Sequence, residues 1–395
     1  MSYWWNRSRI GWVGAVYAIV ICIPIVLAHN ASAAGNGLYV ADGNRTVRFK
    51  NPKKNGGTED LVLGQPDFTS NTPSTALSGM NVPLGVIFQP SSKTLWVTDE
   101  DNSRVLGFVH GKSGFSNGQD ADIELGNPDF SNINGPCNVS QNGLCDPTDV
   151  AFDSAGNLWV ADAGGSRVLE FEPPFSTGQD ASVVIGKPDF NSRGCSTPTQ
   201  DGLCTPWSLA FDPSGNLWVL DGGNNRIVEY EPPFSNGQNA SIEFGQPDFF
   251  NRICSAGPDG ICPAAGGQVR SDKFGNIWEA DNTDNRVIRF PRGSGFSTAE
   301  NADVVLGQPD FTSASALPPS KSSLNAPWGL TFDSKGDLFV SQQGSCRVSR
   351  FEAKKGKFKI NQNADLVIGQ PNFTTGSCAV SQTTLQNPRG LSFGP

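Results

Sequence analysis

The sequence holds few of the side chains from which catalytic centres are built. There are two histidines among 395 residues, and His110, in a polar turn region, is expected to be an exposed loop residue. Neither a histidine-rich zinc site nor a Ser-His-Asp triad can be assembled. Carboxylates remain, and Asp149, Glu100, Asp101 and Asp284 offer oxygen ligands of the kind that a divalent ion takes. The chemistry left open is metal-assisted hydrolysis or elimination.

A second set of residues is suited to binding. It consists of Trp207, Trp328, Arg389, Asp149, Ser208 and Gln268. The two indoles and the guanidinium could stack on a sugar or a peptide, while the smaller polar groups fix its hydroxyls or amides. The alternative is that the two tryptophans merely cover the core beneath neighbouring loops. Which alternative holds depends on the elements that position them.

Those elements come from one unit that recurs six times. In residues 206–249, four apolar runs are separated by DPSGN, DGGNN and PPFSNGQN, which are rich in turn-forming residues. This pattern predicts four antiparallel strands, a to d, the last including GQPDF. The glycine of that motif returns every 59 to 62 residues, as Gly64, Gly126, Gly186, Gly245, Gly307 and Gly369. Because one such unit cannot bury its own faces, six copies predict an all-β, six-bladed β-propeller.

The C-terminal strand is expected to close the ring. The first copy begins at strand b, and its missing strand a matches residues 388–393, PRGLSF, at the other end of the chain. Residues 34–395 would then form a single domain with no unpaired first or last blade. The predicted blades cover residues 36–68 with 388–395, 83–130, 147–190, 206–249, 266–311 and 327–373. The proline in GQPDF lacks a ladder donor, which places strand d at the outer edge and strand a at the central channel.

Two repeated features are interpreted as structural. An aspartate at the end of strand b precedes an arginine at the start of strand c, as in Asp162 and Arg167, and these are expected to form ion pairs that hold each hairpin. The aromatic position of strand b, occupied by Trp159 in the same copy, is expected to pack blade against blade. Six equivalent copies around a ring cannot all serve one active centre.

The strand directions place the b–c turns and the long d-to-a connectors on one face. Cysteines lie in these segments, and four disulfides are expected: Cys137 with Cys145, Cys195 with Cys204, Cys254 with Cys262, and Cys346 with Cys378. Metal clusters are the alternative, but no histidine lies nearby and the chain is predicted to be exported. The candidate binding residues, and Asp149 as a candidate metal ligand, would lie at the channel mouth on the same face.

Residues 1–33 resemble a signal peptide, with two arginines, an apolar run over residues 10–28, and Ala31-Ser32-Ala33 as a cleavage motif. The protein is therefore expected to be secreted, periplasmic or otherwise extracytoplasmic, and to meet a membrane only if this segment is retained as an anchor. Without it the formal net charge falls from −9 to −11, because it holds two arginines and no acidic residue. Such a charge argues against nucleic acid as a partner. The lysines at 354, 355 and 357 are interpreted as a solvated hairpin.

The phrases of residues 206–230 and 327–351, PWSLAFDPSGNLWVLDGGNNRIVEY and PWGLTFDSKGDLFVSQQGSCRVSRF, resemble the NHL repeat. The resemblance extends over all six copies, with Gly266 in place of the strand-a proline in the fifth and Gln342 in place of the strand-b aspartate in the sixth. It implies a propeller, whereas similar propellers include binding modules, scaffolds and a few enzymes, among them amidating lyases with a histidine-built zinc site. We therefore expect a non-catalytic binding or scaffold module without a cofactor, for a protein, peptide or glycan ligand. The alternative is a hydrolase or lyase with a divalent ion in the channel.

Overall fold

The computed structural model describes residues 35–130, 137–195, 197–263 and 266–395. The segment interpreted as a signal peptide, including Cys22, lies outside these residues. The described part of the chain has 24 strands and three short 3-10 turns. The strands are β1 (Gly37–Asp42), β2 (Arg45–Lys50), β3 (Glu59–Leu63), β4 (Pro83–Gln89), β5 (Thr94–Asp99), β6 (Arg104–Val109), β7 (Ile123–Leu125), β8 (Pro147–Phe152), β9 (Leu158–Asp162), β10 (Arg167–Phe171), β11 (Val183–Ile185), β12 (Pro206–Phe211), β13 (Leu217–Asp221), β14 (Arg226–Tyr230), β15 (Ile242–Phe244), β16 (Val269–Ser271), β17 (Ile277–Asp281), β18 (Arg286–Phe290), β19 (Val304–Leu306), β20 (Pro327–Phe332), β21 (Leu338–Gln342), β22 (Arg347–Phe351), β23 (Leu366–Ile368) and β24 (Pro388–Gly394).

These strands form six antiparallel sheets of four strands each. Blade 1 has the order β24-β1-β2-β3, and blades 2 to 6 take the remaining strands four at a time in chain order. In β24, Leu391 pairs with Val40 and Phe393 pairs with Leu38, and both C-terminal side chains are buried. The six-bladed propeller and its closure by the C-terminal strand are therefore confirmed.

Strand d is shorter than the sequence pattern indicates. It ends before the glycine of GQPDF, and the motif itself forms a bend outside the ladder. Gly245 shows why glycine stands there: its φ of +90° lies in the left-handed region, and an added Cβ would meet Ile261 at 2.4 Å. Strand d is the outermost strand, as expected, but the proline is not within it, so a missing donor in the ladder does not cause the edge position.

The outer edge of most blades is covered by the c–d hairpin of the next blade. For strand β3, the Val62 carbonyl accepts from the Gly118 N–H at 3.0 Å, and the Val62 N–H donates to Asn117 Oδ1 at 3.0 Å. The same arrangement joins the last blade to the first, where Gly56 and Asn55 bond Val367 at 2.9 and 3.1 Å. The ring is thus also closed at its rim, which satisfies edge groups that would otherwise be exposed.

The core consists of apolar layers between adjacent blades. The strand-b side chains Tyr39, Trp96, Trp159, Trp218, Trp278 and Phe339 are all at most 2% exposed, which confirms their packing role. In blade 3 the Trp159 indole N–H donates to Asp153 in the a–b turn at 3.1 Å. Blade 2 has Gln89 at the corresponding position, and Trp96 Nε1 has no hydrogen-bond partner within the described residues. No helix in the described part of the chain is long and apolar enough to cross a membrane.

Candidate functional site

The repeated arginines fix the long connectors that surround the channel mouth. In blade 3, Arg167 Nε lies 2.7 Å from Asp162 Oδ2, which confirms the expected ion pair. Arg167 Nη2 also donates to the carbonyls of Ser140 and Gly143 in the preceding connector, at 3.0 and 2.9 Å, and Nη1 bonds the Phe190 carbonyl. Both charged side chains are fully buried. The pair therefore holds loops as well as its own hairpin.

The other blades repeat this arrangement. Buried arginines donate to connector or GQPDF-loop carbonyls at Arg45, Arg104, Arg226, Arg286 and Arg347. In blade 6 the aspartate is replaced by Gln342, whose Oε1 accepts from Arg347 at 3.2 Å. Burial without a carboxylate partner lowers the pKa of Arg347 to about 10. The connector face, meaning the face of the b–c turns and d-to-a connectors, is thus anchored in the core.

Four disulfides add to this anchoring. Cys137 is bonded to Cys145, Cys195 to Cys204, and Cys254 to Cys262, each within one connector. The fourth joins Cys346, after strand β21, to Cys378 in the connector that leads to β24. The Cα atoms of the partners are 4.4 to 5.1 Å apart. All four lie on the connector face.

Asp149, Ser208 and Gln268 are brought together, but inside the propeller. The carboxylate of Asp149 accepts from Ser208 Oγ at 2.5 Å and from Gln268 Nε2 at 3.0 Å. It also forms an ion pair with Arg270, with contacts of 2.7 Å from Nη1 and 3.2 Å from Nη2. Asp149, Ser208 and Gln268 are at most 1% exposed. These residues link the innermost strands of blades 3, 4 and 5.

Arg270 is a residue that the sequence analysis missed. It is 121 positions from Asp149 in the chain, and it belongs to strand a of blade 5. A signal was present, because Asp149 and Arg270 are unlike the small or apolar residues that occupy the matching positions of most other innermost strands. Two isolated opposite charges on strands that converge at one axis indicate a buried pair.

The backbones of neighbouring innermost strands approach one another closely at three glycines. A Cβ added to Gly329 would lie 2.0 Å from the Arg389 carbonyl oxygen, and one added to Gly390 would lie 2.2 Å from that of Leu84. At Gly85 the nearest atom would be the Cα of Asp149 at 2.7 Å. Glycine is therefore required where adjacent innermost strands touch.

The residues present do not fit a divalent-ion site at Asp149. Both of its oxygens already accept hydrogen bonds, and its charge is paired with Arg270. Asp284 lies 3.4 Å from Arg286 in blade 5, while Glu100 and Asp101 stand in the turn after β5. Among the described residues, no group of three or more His, Cys, Asp or Glu side chains is arranged to hold a metal ion. His110 makes an edge contact with Phe115, at 4.9 Å between ring centroids.

The two tryptophans of the candidate binding set are in contact with each other. Their ring centroids are 5.7 Å apart, with Trp207 from blade 4 and Trp328 from blade 6. Blade 5 lies between them and makes room, because a Cβ on Gly266 would fall 2.0 Å from the Trp328 ring. Trp328 is only 7% exposed, and Trp207 packs on the core between blades 4 and 5. Much of both indoles thus covers the core.

Arg389 continues this row toward blade 2. Its guanidinium carbon lies 5.9 Å from the centre of the Trp328 ring. Arg389 Nε and Nη1 are buried and have no hydrogen-bond partner among the described residues. Burial lowers the pKa of Arg389, and it raises the pKa of nearby Glu100 to about 7. Arg389 also lines an open depression of about 440 Å³ together with Asn44, Asn71, Val82, Gln386 and Asn387.

Two segments of the chain match a known repeat family. Residues 144–171 and 203–230 match the family model described as NHL repeat, and each match runs through strands a to c of one blade. The chain contains NHL repeats. This NHL propeller is also 25% identical to Teneurin-1 of Caenorhabditis elegans in an alignment 245 residues long, which covers 56% of this chain and 9% of that protein. The chain thus spans less than a tenth of the length of that relative.

Solved structures similar to the NHL propeller are distant in sequence. A streptogramin B lyase is 13% identical with a TM-score of 0.41, over 74% of this chain and 72% of that one. A nidogen/laminin complex contains a chain that is 13% identical with a TM-score of 0.44, over 84% and 97% of the two chains. Similarities at this level carry no argument about what the present chain binds or catalyses.

Proposed function

We propose that this NHL propeller is a non-catalytic binding module whose ligand is held at the channel mouth by Arg389. The observation that carries the proposal is the guanidinium, which has two buried nitrogens without an acceptor. A buried donor left unsatisfied costs about 1–3 kcal/mol, and more when it is charged. A ligand that supplies carbonyl, carboxylate or hydroxyl oxygens would recover that cost if the guanidinium turns toward the depression that Arg389 lines.

The surroundings of Arg389 support a protein, peptide or glycan ligand. The adjoining depression is lined by the side-chain amides of Asn71, Gln386 and Asn387, which can both donate and accept. Glu100 and Asp101 lie near enough to interact electrostatically with Arg389, and they would accept from hydroxyl or amide groups of the ligand. Trp207 is partly exposed and contacts Trp328, which in turn lies beside Arg389.

The rigidity of the connector face also favours binding. Six buried arginines and four disulfides restrain the loops around the mouth before any ligand arrives. A site that is already ordered loses less conformational entropy on association. We propose, from the disulfides, that the protein works in an oxidising, extracytoplasmic compartment.

The test is to screen immobilised glycans and peptides with the wild type and with Arg389→Ala. We expect Arg389→Ala to weaken a discovered ligand at least about tenfold, since a charged hydrogen bond contributes about 1.5–3 kcal/mol. Arg252→Ala is the matched control, because Arg252 is exposed on the same face outside the depression. Unchanged affinity in Arg389→Ala would show that the ligand binds elsewhere.

A second variant separates binding from packing. Trp328→Ala removes a buried ring, so we expect its melting temperature to fall, whereas Arg389→Ala should melt close to the wild type. If Arg389→Ala lowers both the affinity and the melting temperature as much as Trp328→Ala, Arg389 acts in packing and the proposal fails.

A further inference from the structure

The lysines of this acidic protein are gathered on one side of the face opposite the mouth. We call the face of the a–b turns and c–d hairpins the turn face. Nine of the 13 lysines lie on its blade 5, 6 and 1 side: Lys50, Lys53, Lys54, Lys273, Lys335, Lys354, Lys355, Lys357 and Lys359. All nine are exposed. They come from four segments far apart in the chain, and we refer to them as the lysine sector.

Contacts between the segments show that the sector is continuous. Lys273 Nζ donates to the Lys335 carbonyl at 3.5 Å, which joins the a–b turns of blades 5 and 6. Phe274 lies against the hairpin tip of blade 6, because a Cβ on Gly356 would be 3.4 Å from its ring. Lys53 of blade 1 and Lys335 line one cavity of about 220 Å³.

Apolar side chains are exposed within the same sector. Phe274 is 57% exposed and Ile360 is 49% exposed, and both stand beside lysines. Lys273 Nζ lies 5.3 Å from the centre of the Phe274 ring. An exposed aromatic ring beside a lysine ammonium is suited to the boundary between lipid headgroups and acyl chains.

Acidic groups of the sector are mostly engaged. Asp365 is paired with Arg350 at 2.6 Å, and Asp333 accepts the backbone N–H groups of Lys335 and Asp337. Glu352 is an exposed carboxylate at the start of the blade 6 hairpin. The local charge is therefore positive on a chain whose formal net charge is −9.

We propose that the lysine sector docks on a membrane surface that carries anionic lipid headgroups. The lysines supply the attraction, which acts within about a Debye length of the surface, while Phe274 and Ile360 enter the interface. Gly35, the first described residue, also lines the 220 Å³ cavity of the sector. This orientation directs the channel mouth away from the membrane.

Sedimentation with lipid vesicles tests the proposal on the full-length protein. We expect binding to vesicles of phosphatidylcholine mixed with phosphatidylglycerol, weaker binding to phosphatidylcholine alone, and loss of the difference at high salt. Replacing Lys354, Lys355 and Lys357 together by glutamate should lower the partition coefficient about a hundredfold, at about fivefold per lysine. Phe274→Ser should lower it further.

The matched control is Lys93→Glu with Lys112→Glu, two exposed lysines on the turn face of blade 2. This pair should change the partition coefficient by less than about tenfold. Every variant keeps the same N-terminus, so the apolar run cannot produce the differences. Equal binding to both kinds of vesicle, an unaffected lysine triple variant, or retention on a soluble polyanion such as heparin without vesicle binding would each overturn the proposal.

Discussion

Glu279 is a buried carboxyl whose replacement by valine should stabilise the propeller. It lies in the middle of strand β17, at a position that the other five blades fill with Val40, Val97, Val160, Val219 and Val340. Its side chain is fully buried, and neither oxygen has a hydrogen-bond partner within the described residues. The strand neighbours opposite it are Val269 and Ile288. Glu279→Val therefore introduces the residue that the other five blades have at this position.

The expected gain has a pH-independent and a pH-dependent part. Removing the unsatisfied buried carboxyl should stabilise the fold by about 1–3 kcal/mol. The smaller valine side chain leaves a small cavity, which reduces this gain by up to about 1 kcal/mol. Burial raises the pKa of Glu279 well above its ordinary 4.5, and nearby Asp281 and Asp284 raise it further against the effect of Arg286. Since the unfolded chain releases this proton first, the contribution of Glu279 to wild-type stability is least unfavourable below pH 4.5 and worsens as pH rises toward the folded-state pKa.

Urea unfolding followed by tryptophan fluorescence between pH 4.5 and pH 8 measures both parts. We expect the free energy of unfolding of Glu279→Val to exceed that of the wild type by about 1–2 kcal/mol at pH 4.5. The difference should then grow by up to about 1.4 kcal/mol per pH unit until the folded-state pKa is reached. Glu279→Gln is the control, because it cannot ionise and should remove the pH dependence while keeping most of the constant cost.

The reasoning about Glu279 would be refuted by either of two results. If Glu279→Val is less stable than the wild type at pH 7, the carboxyl makes favourable interactions that outweigh its burial. If the difference between Glu279→Val and the wild type does not change with pH, the carboxyl ionises as easily in the folded protein as in the unfolded chain.

Two further predictions concern the ring and its connectors. Deleting residues 388–395 removes β24 with its buried Leu391 and Phe393. The fold should lose several kcal/mol of stability, since burial of each side chain contributes about 1.5–3 kcal/mol. Coincident thermal midpoints for truncated and full-length protein would contradict closure by β24. Arg167→Met leaves the buried Asp162 unpaired and should lower the free energy of unfolding in urea by about 3–5 kcal/mol. The control Arg48→Met breaks a partly exposed ion pair and should lower it by under about 1 kcal/mol. Equal losses in the two variants would contradict the anchoring role of Arg167.

Local patterns of the sequence were enough to predict the repeated architecture. Turn residues between short apolar runs specify each strand, and six similar copies specify the blade count. The match of residues 388–393 to strand a predicts how the ring closes. Ion pairs such as Asp162 with Arg167 were also predictable, because the partners are five positions apart across one turn. In each case the interacting groups are neighbours in sequence or are copies of one another.

Contacts between blades could not be read from such patterns. Asp149 meets Arg270 across 121 positions, and Trp207 meets Trp328 over the gap left by Gly266, because the ring brings distant copies of strand a to one axis. The expectation that GQPDF belongs to strand d was wrong because the left-handed glycine ends the ladder first. The lysines at 354, 355 and 357, interpreted from sequence as a solvated hairpin, belong to a blade 6 hairpin whose tip lies against Phe274 of blade 5. The sequence determined the repeated unit. Closure of the ring decided which of the residues that depart from the repeat pattern come into contact.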